Sequence, residues 1–208
     1  MSVSFAKAVR DGCRNLGVEV NEVDGCYSRG NGQTSDYRGI VNHHTAGGFT
    51  IGFDRILVDG RWDLPGPLCN TALDRNGRLW LIAAHPANHA GASGGWDTAP
   101  LPRTGLFNKL TWGCEIQYPG VVPMTDAQYR AALIQSHVVC KVAGVPGDYR
   151  WVKFHQGTSV QGKWDPGYAE GRTYDIARFR DDIRRLDLGA DDGGPLWQQI
   201  IDELTGGA

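Results

Sequence analysis

Apolar positions recur along the chain with two different periods, and these predict its elements. Phe5, Val9 and Leu16 are spaced near-helically among polar neighbours and predict a short opening helix over residues 4–16. The polar, glycine-bearing stretch from Asp24 to Gln33 reads as loop. In RGIVNHHTAGG a β-branched pair leads into histidines and glycines, the pattern of a short buried strand that ends in a loop. IGFDRIL (51–57) predicts a helix, and the two prolines within residues 60–67 predict a turn. Two apolar runs flank Asn76-Gly77, a strong hairpin signal.

Residues 84–104 are rich in glycine and proline without periodicity, and an irregular connection of that length is usually functional or mobile. TWGCEIQY (111–118) alternates as a strand does. Thr125 and Gln128 form a capping box ahead of an apolar face made by Tyr129, Leu133, Ile134, Val138 and Val142, which predicts a helix to about residue 143. WVKFH (151–155) predicts a strand, and residues 173–186 a helix with Ile176, Phe179, Ile183 and Leu186 on one side. Strands and helices alternate, so the expected fold class is mixed α/β, a central mixed sheet flanked by helices. Beyond a Gly-Gly-Pro break, Leu196, Trp197, Ile200, Ile201 and Leu204 form an apolar stripe that predicts a short amphipathic helix. It packs on its own domain, forms a dimer contact, or is the stub of a longer chain.

Composition narrows the classes. A chain of 208 residues, 41% apolar and with seven tryptophans, suffices for one domain with a sizeable core. A net charge of −2 provides no field for gripping a polyphosphate backbone, so nucleic acid is not an expected partner. Five cysteines (Cys13, Cys26, Cys69, Cys114, Cys140) at wide spacing, with no Cys-x-x-Cys pair, make neither a disulfide framework nor a four-cysteine metal site. The first residues lack an apolar run behind a basic patch, and no stretch approaches a membrane span. The expectation is a soluble product made in the cytoplasm without a signal peptide.

Candidate chemistry gathers at strand ends. His43 and His155 terminate expected strands and open into glycine-bearing loops, where a rigid scaffold positions reactive side chains. Lys163 and Asp165 follow, on one face of an extended segment. Two imidazoles and a carboxylate are a familiar catalytic zinc ligand set that leaves one tetrahedral position to water. Such an ion polarises a carbonyl and lowers the pKa of its water toward ~7. The chemistry then needs a proton acceptor and a positive group near the developing oxyanion. Glu115, within TWGCEIQY, is the acceptor candidate and Lys163 the oxyanion partner. Each has an ordinary alternative: Glu115 as a sheet-edge carboxylate paired with an arginine, Lys163 as a solvated loop lysine. His137, in mid-helix, reads as a structural residue.

These segments, in this order, resemble the zinc-dependent N-acetylmuramoyl-L-alanine amidases of type 2, a family that includes phage endolysins and the peptidoglycan-recognition proteins. IVNHHTAGG is similar to the family's first metal-ligand motif, with His43 in the ligand position. DRNGRLWLIAA resembles its hairpin, HAGASGGW its substrate-side loop and WGCEIQ the strand of its catalytic glutamate, here Glu115. FHQGTSVQGKWDPG resembles the motif that carries the second histidine, the lysine and the last ligand, here His155, Lys163 and Asp165. The resemblance runs from about residue 36 to 186. It implies a peptidoglycan-recognition-protein-like amidase fold, zinc as cofactor, bacterial peptidoglycan as partner, and cleavage of the amide between N-acetylmuramic acid and L-alanine.

The organisation it implies is an amino-terminal helix and loop over 1–35, a zinc amidase domain over 36–188, and a linker with a short helix over 189–208. The phage-lysin reading adds a monomer that reaches the host wall after the membrane is permeabilised and does not insert stably into it. Asp165 takes the place where some relatives use a thiolate, so the cysteines are expected to be small, buried and reduced. Where many relatives carry an aromatic pair before the hairpin, this chain reads Leu68-Cys69-Asn70, which makes Cys69 and Asn70 candidates to line the substrate site. His44 is a further candidate, for substrate or for support of the metal shell. His89 and Trp96 either bind sugar or peptide, or anchor the loop and core. Two other functions stay open on the sequence: a zinc-containing peptidoglycan-binding protein without turnover, and an endopeptidase of the stem peptide.

Overall fold

A computed structural model describes residues 2–34 and 36–190. In chain order its elements are α1 (Ser2–Asn15), β1 (Val20–Glu22), β2 (Gly39–His44), α2 (Ile56–Asp59), β3 (Gly60–Arg61), β4 (Leu64–Pro65), β5 (Thr71–Leu73), β6 (Leu79–Leu81), β7 (Thr111–Ile116), α3 (Asp126–Val142), β8 (Val152–Phe154), α4 (His155–Thr158), β9 (Gly167–Ala169), β10 (Arg172–Thr173) and α5 (Ile176–Ala190). Six strands form one sheet in the order β1-β6-β5-β7-β2-β8. Strands β5, β7, β2 and β8 run parallel, while β6 is antiparallel to β5 and takes β1 as a parallel edge. The expected mixed α/β architecture is present.

Local chemistry explains the clearest elements. The Thr125 hydroxyl accepts from the Gln128 amide at 3.1 Å, and the Gln128 side chain accepts from the Thr125 amide at 3.0 Å, so α3 starts on a complete capping box. Between β5 and β6, Gly77 has φ +73°, and a Cβ there would stand 2.4 Å from the Ala127 carbonyl oxygen. Both the turn and the close approach of α3 require glycine at this position.

Helices α1, α3 and α5 pack together over one face of the sheet. Ala6, Val9 and Cys13 of α1 share a core with Ile40, Trp112, Ile134, Phe154 and Phe179. Burial of a side chain such as Ile40 or Phe154 stabilises by about 2 kcal/mol. The amino-terminal residues read as helix and loop thus contribute a helix to this core and the edge strand β1 to the sheet. Residues 51–54 form no helix, and the single turn α2 begins only at Ile56. The turn expected over 60–67 contains the small β3–β4 hairpin. The hairpin β9–β10 and the turn α4 were not apparent in the periodicity, each being only two to four residues per element.

Side chains alternate across strands, which sorts β2 and β7 into two faces. Trp112, Cys114 and Ile116 point to the helices, whereas Val41 joins Ala90, Leu101 and Phe107 on the opposite side. His43 and Glu115 share that opposite, loop-covered face. The segment 84–104 that covers it is tied down by buried chemistry. Lys153 is fully buried, donates to the Ala99 carbonyl at 2.7 Å and lies 3.4 Å from Asp97, which Arg180 also bridges at 2.7 Å. Asn108 accepts from the amides of His89 and Ala90. All five cysteines are buried and free. No helix among the described residues is long and apolar enough to cross a membrane. The expected amphipathic stripe from Leu196 to Leu204 lies outside the described residues.

Candidate active site

Three adjacent parallel strands, β7, β2 and β8, bring Glu115, His43 and His155 to one end of the sheet. His43 is the fifth residue of β2, Glu115 the fifth of β7, and His155 follows the last residue of β8. In a parallel sheet the carboxyl ends of the strands are where ligands bind. A cleft of about 490 Å³ opens there, lined by His43, His44, Glu115, His155, Lys163 and Asp165 among others.

His43, His155 and Asp165 are all buried, and one ligand atom from each lies within 4.8 Å of the others. Asp165 Oδ2 stands 3.0 Å from His43 Nδ1 and 3.1 Å from His155 Nδ1. Ligand atoms around a tetrahedral ion with bonds of ~2.0–2.1 Å stand about 3.3 Å apart, and the two imidazole–carboxylate distances are close to that spacing. The two imidazoles and the carboxylate fit a divalent cation in type, number and convergence. Burial acts to raise the Asp165 carboxyl, but the contacts from His155 and His43 outweigh it and hold the group below the usual carboxylate range. Burial, followed by the neighbouring His155, pushes His43 down to about 4 despite the opposing pull of Asp165. A neutral imidazole and an ionised carboxylate are the states in which these groups ligate.

Glu115 presents a carboxylate toward this cluster. Its Oε2 is buried and has no hydrogen-bond partner among the described residues. An orphaned buried carboxylate oxygen is costly to leave in place, which makes Glu115 a candidate functional position. Burial first, and then the Asp165 charge, raise the Glu115 carboxyl well above its ordinary value, while Lys163 and Arg61 act in the opposite direction. Lys163 is exposed on the rim of the cleft, and Asp165, two residues on, is buried beneath it.

The remaining candidates separate. His44 lines the cleft, with its Nδ1 accepting from the Gly167 amide at 3.0 Å and its ring edge-on to Trp164 at 4.5 Å. Cys69 is fully buried in a cluster with Leu57, Ala72 and Ile82, and burial raises its thiol well above the ordinary value. Asn70 is also fully buried. Its side chain donates to the carbonyls of Ala83 and His85 at 2.9 Å and accepts from the Gly113 amide at 2.9 Å. Neither residue lines the cleft as the sequence reading expected, because Cys69 is packed in an apolar cluster and Asn70 is spent on backbone hydrogen bonds. Trp96 is 72% exposed but sits outside the cleft, with its ring beside Gly157.

His89 reaches the cleft, but not as a free substrate-facing ring. Its Nδ1 is 3.1 Å from His43 Nε2, and its Nε2 is 3.1 Å from the Thr111 carbonyl oxygen, so both nitrogens are engaged within the protein. Sequence reasoning missed Arg61, which lines the cleft from the β3–β4 hairpin, and Trp164, which packs on His44. Nothing in its own segment distinguishes Arg61. Trp164 was within reach, since it stands between two residues singled out for chemistry.

Comparison with known proteins places the chain. No curated protein matches it by sequence. The fold is similar to that of the N-acetylmuramoyl-L-alanine amidase LysC from Clostridium intestinale URNW, with TM-score 0.58 and 12% identity over 80% of this chain and 97% of that one. It is also similar to AmpD, in its selenomethionine derivative, with TM-score 0.55 and 17% identity over 79% and 93% of the two chains. For PlyL the values are 0.52 and 17%, over 80% and 96%. These likenesses bear on the fold. The sequence profile described as N-acetylmuramoyl-L-alanine amidase matches residues 33–168, about two thirds of the chain, and that span holds every residue of the cluster. The chain belongs to the N-acetylmuramoyl-L-alanine amidase family.

Proposed function

We propose that this protein is a zinc-dependent peptidoglycan hydrolase of the endolysin type, cleaving the amide between the lactyl group of N-acetylmuramic acid and the L-alanine of the stem peptide. The observation that carries the proposal is the convergence of His43, His155 and Asp165 beside the unpartnered, buried Oε2 of Glu115 in one cleft. Zinc suits two imidazoles and one carboxylate better than a hard ion that prefers oxygen alone. His43 and His155, through Nδ1, and Asp165, through Oδ2, are the atoms that would hold it. When bound it supplies a Lewis acid and lowers the pKa of a coordinated water toward ~7.

The side chains of this protein then have separate tasks. Glu115 Oε2 takes a proton from the attacking water as the oxygen adds to the lactyl carbonyl carbon. The Lys163 ammonium, on the rim, offsets the negative charge that develops on the carbonyl oxygen. As the carbon–nitrogen bond breaks, Glu115 returns its proton to the alanine nitrogen, leaving a lactyl carboxylate and a free amine. His44, with Trp164 packed on its ring, orients the substrate over the cluster.

All these groups come from one chain, which supports a monomer as the active unit. The proposed catalytic domain spans residues 36–188, preceded by the segment 1–35 that completes its core. Its action as a phage lysin falls on the host wall once the membrane has been breached. Purified peptidoglycan incubated with the zinc-loaded protein tests the reading. New amino-terminal alanine is expected by end-group analysis, and reducing sugar ends in its place would overturn it.

A further inference from the structure

Beyond the ligands themselves, a chain of hydrogen bonds runs away from the cluster on the far side of His43. It ends on the backbone carbonyl of Thr111, which lies 3.1 Å from His89 Nε2. A carbonyl oxygen only accepts, so His89 Nε2 carries a hydrogen. The nitrogens of His89 meet an imidazole and a carbonyl, neither of which compensates a positive charge, so the ring is neutral with its Nδ1 lone pair available to accept. That lone pair lies 3.1 Å from His43 Nε2, which must therefore be the donor. His43 is left with its hydrogen on Nε2 and its lone pair on Nδ1, aimed at Asp165 Oδ2 3.0 Å away. Two acceptors face each other at that distance when a cation lies between them.

The sheet has a slot for this relay. Gly113, two residues before Glu115 on β7, lies under the His89 ring, and a Cβ there would stand 2.5 to 2.8 Å from its Cγ, Cδ2 and Nδ1. The ring plane is edge-on to that of His43, 84° apart with centroids at 5.3 Å. The loop is held at this point by Asn108, which accepts from the amides of His89 and Ala90, and by Asn88, which donates to the Pro65 carbonyl at 2.9 Å. Glycine on the strand, carbonyl behind, and clamped loop together leave one orientation for the imidazole.

We propose that His89 is a positioning residue for the metal centre: through the relay Thr111 carbonyl, His89, His43 it fixes His43 in the tautomer that offers Nδ1 to the cation. It touches neither substrate nor cation. The inference rests on the metal-centre reading of His43, His155 and Asp165, and the closing experiment separates the two. Partners of this kind are worth about 10- to 100-fold in metal affinity.

The test has two arms. In the zinc-loaded wild type, long-range nitrogen–hydrogen correlation spectra of the imidazoles are expected to show His43 with its hydrogen on Nε2 and Nδ1 as the coordinating nitrogen, and coordination through Nε2 overturns the proposal whatever the variants do. Zinc affinity is then measured by competition with a chromophoric chelator. His89→Ala is expected to lose about 10- to 100-fold, and His89→Gln, whose carbonyl oxygen can accept from His43 Nε2, to recover most of it. Wild-type affinity in His89→Ala overturns the relay while leaving the metal centre intact. Absence of zinc binding in the wild type itself overturns the metal-centre reading, and the relay with it.

Discussion

His43 and Glu115 are register partners across the parallel pair β2–β7. A proposed metal ligand and the proposed proton acceptor are thus set side by side by backbone hydrogen bonding, on the same sheet face and one residue from the ends of their strands. Slipping either strand by one residue would turn one of the two side chains toward the helices. The sheet fixes these two residues, while the ligand that must close over them, Asp165, comes from the loop beyond α4.

Glu115→Gln is expected to keep the fold and the zinc affinity and to lower turnover by about 10²- to 10⁴-fold. The exchange preserves shape and removes only the basic oxygen, which has no hydrogen-bond partner among the described residues. Kinetics beside chelator competition check it. Turnover within a few-fold of the wild type would show that another group accepts the proton.

Lys163→Ala acts on a different quantity. The side chain is exposed, so thermal unfolding should stay unchanged. An ammonium that meets only the developing oxyanion affects kcat far more than KM, and a loss of about 10²- to 10³-fold in kcat is expected. If KM alone rose, Lys163 would be a ground-state binding group.

Gly113→Ala tests the slot beneath His89. The added Cβ would press on the ring at 2.5 Å, and β7 cannot yield without disturbing its pairing with β2 and β5. A destabilisation of about 1–3 kcal/mol is expected, with a loss of zinc affinity. Combined with His89→Ala, the glycine change should lose most of its effect on affinity, because the ring it displaces is gone. Additive losses would place its effect elsewhere.

The stability of the metal-free protein should depend on pH in a definite direction. Burial holds His43 near 4, below the 6.5 of the free side chain. Between those values the unfolded chain binds more protons, so stability rises with pH. The contribution is complete above about 6.5 and is lost as pH falls toward 4, amounting to about 3 kcal/mol. Asp165, whose carboxyl is also held low, adds loss of the same sign at still lower pH. Chemical denaturation from pH 7.5 to 4 measures this, and a flat profile would show that His43 is not buried as a neutral ring.

Much of the architecture could be read from the sequence because its signals are local. The capping box of α3 depends on Thr125 and Gln128, and the β5–β6 turn on Asn76-Gly77, each settled within a few residues. Strand β1 was not legible, since three residues at a sheet edge give too short an alternation and its partner lies about sixty positions away. The cluster was legible because His43, His155, Lys163 and Asp165 sit in short distinctive motifs. Its surroundings were not. Cys69 and Asn70 stand beside the hairpin in sequence, yet both are fully buried, and Asn70 accepts from the Gly113 amide of the distant strand β7. The role of His89 depends on a glycine 24 positions later and on a carbonyl of the same distant strand, a relation that only the folded sheet creates.

The most direct test of the whole account is mass spectrometry of the fragments released from purified peptidoglycan by the zinc-loaded protein. Stem peptides that begin with L-alanine are expected, together with glycan strands whose muramic acid ends in a free lactyl carboxylate, and no such products after chelation. Peptides that begin at a later residue, sugars with new reducing ends, or walls bound but left intact would contradict it.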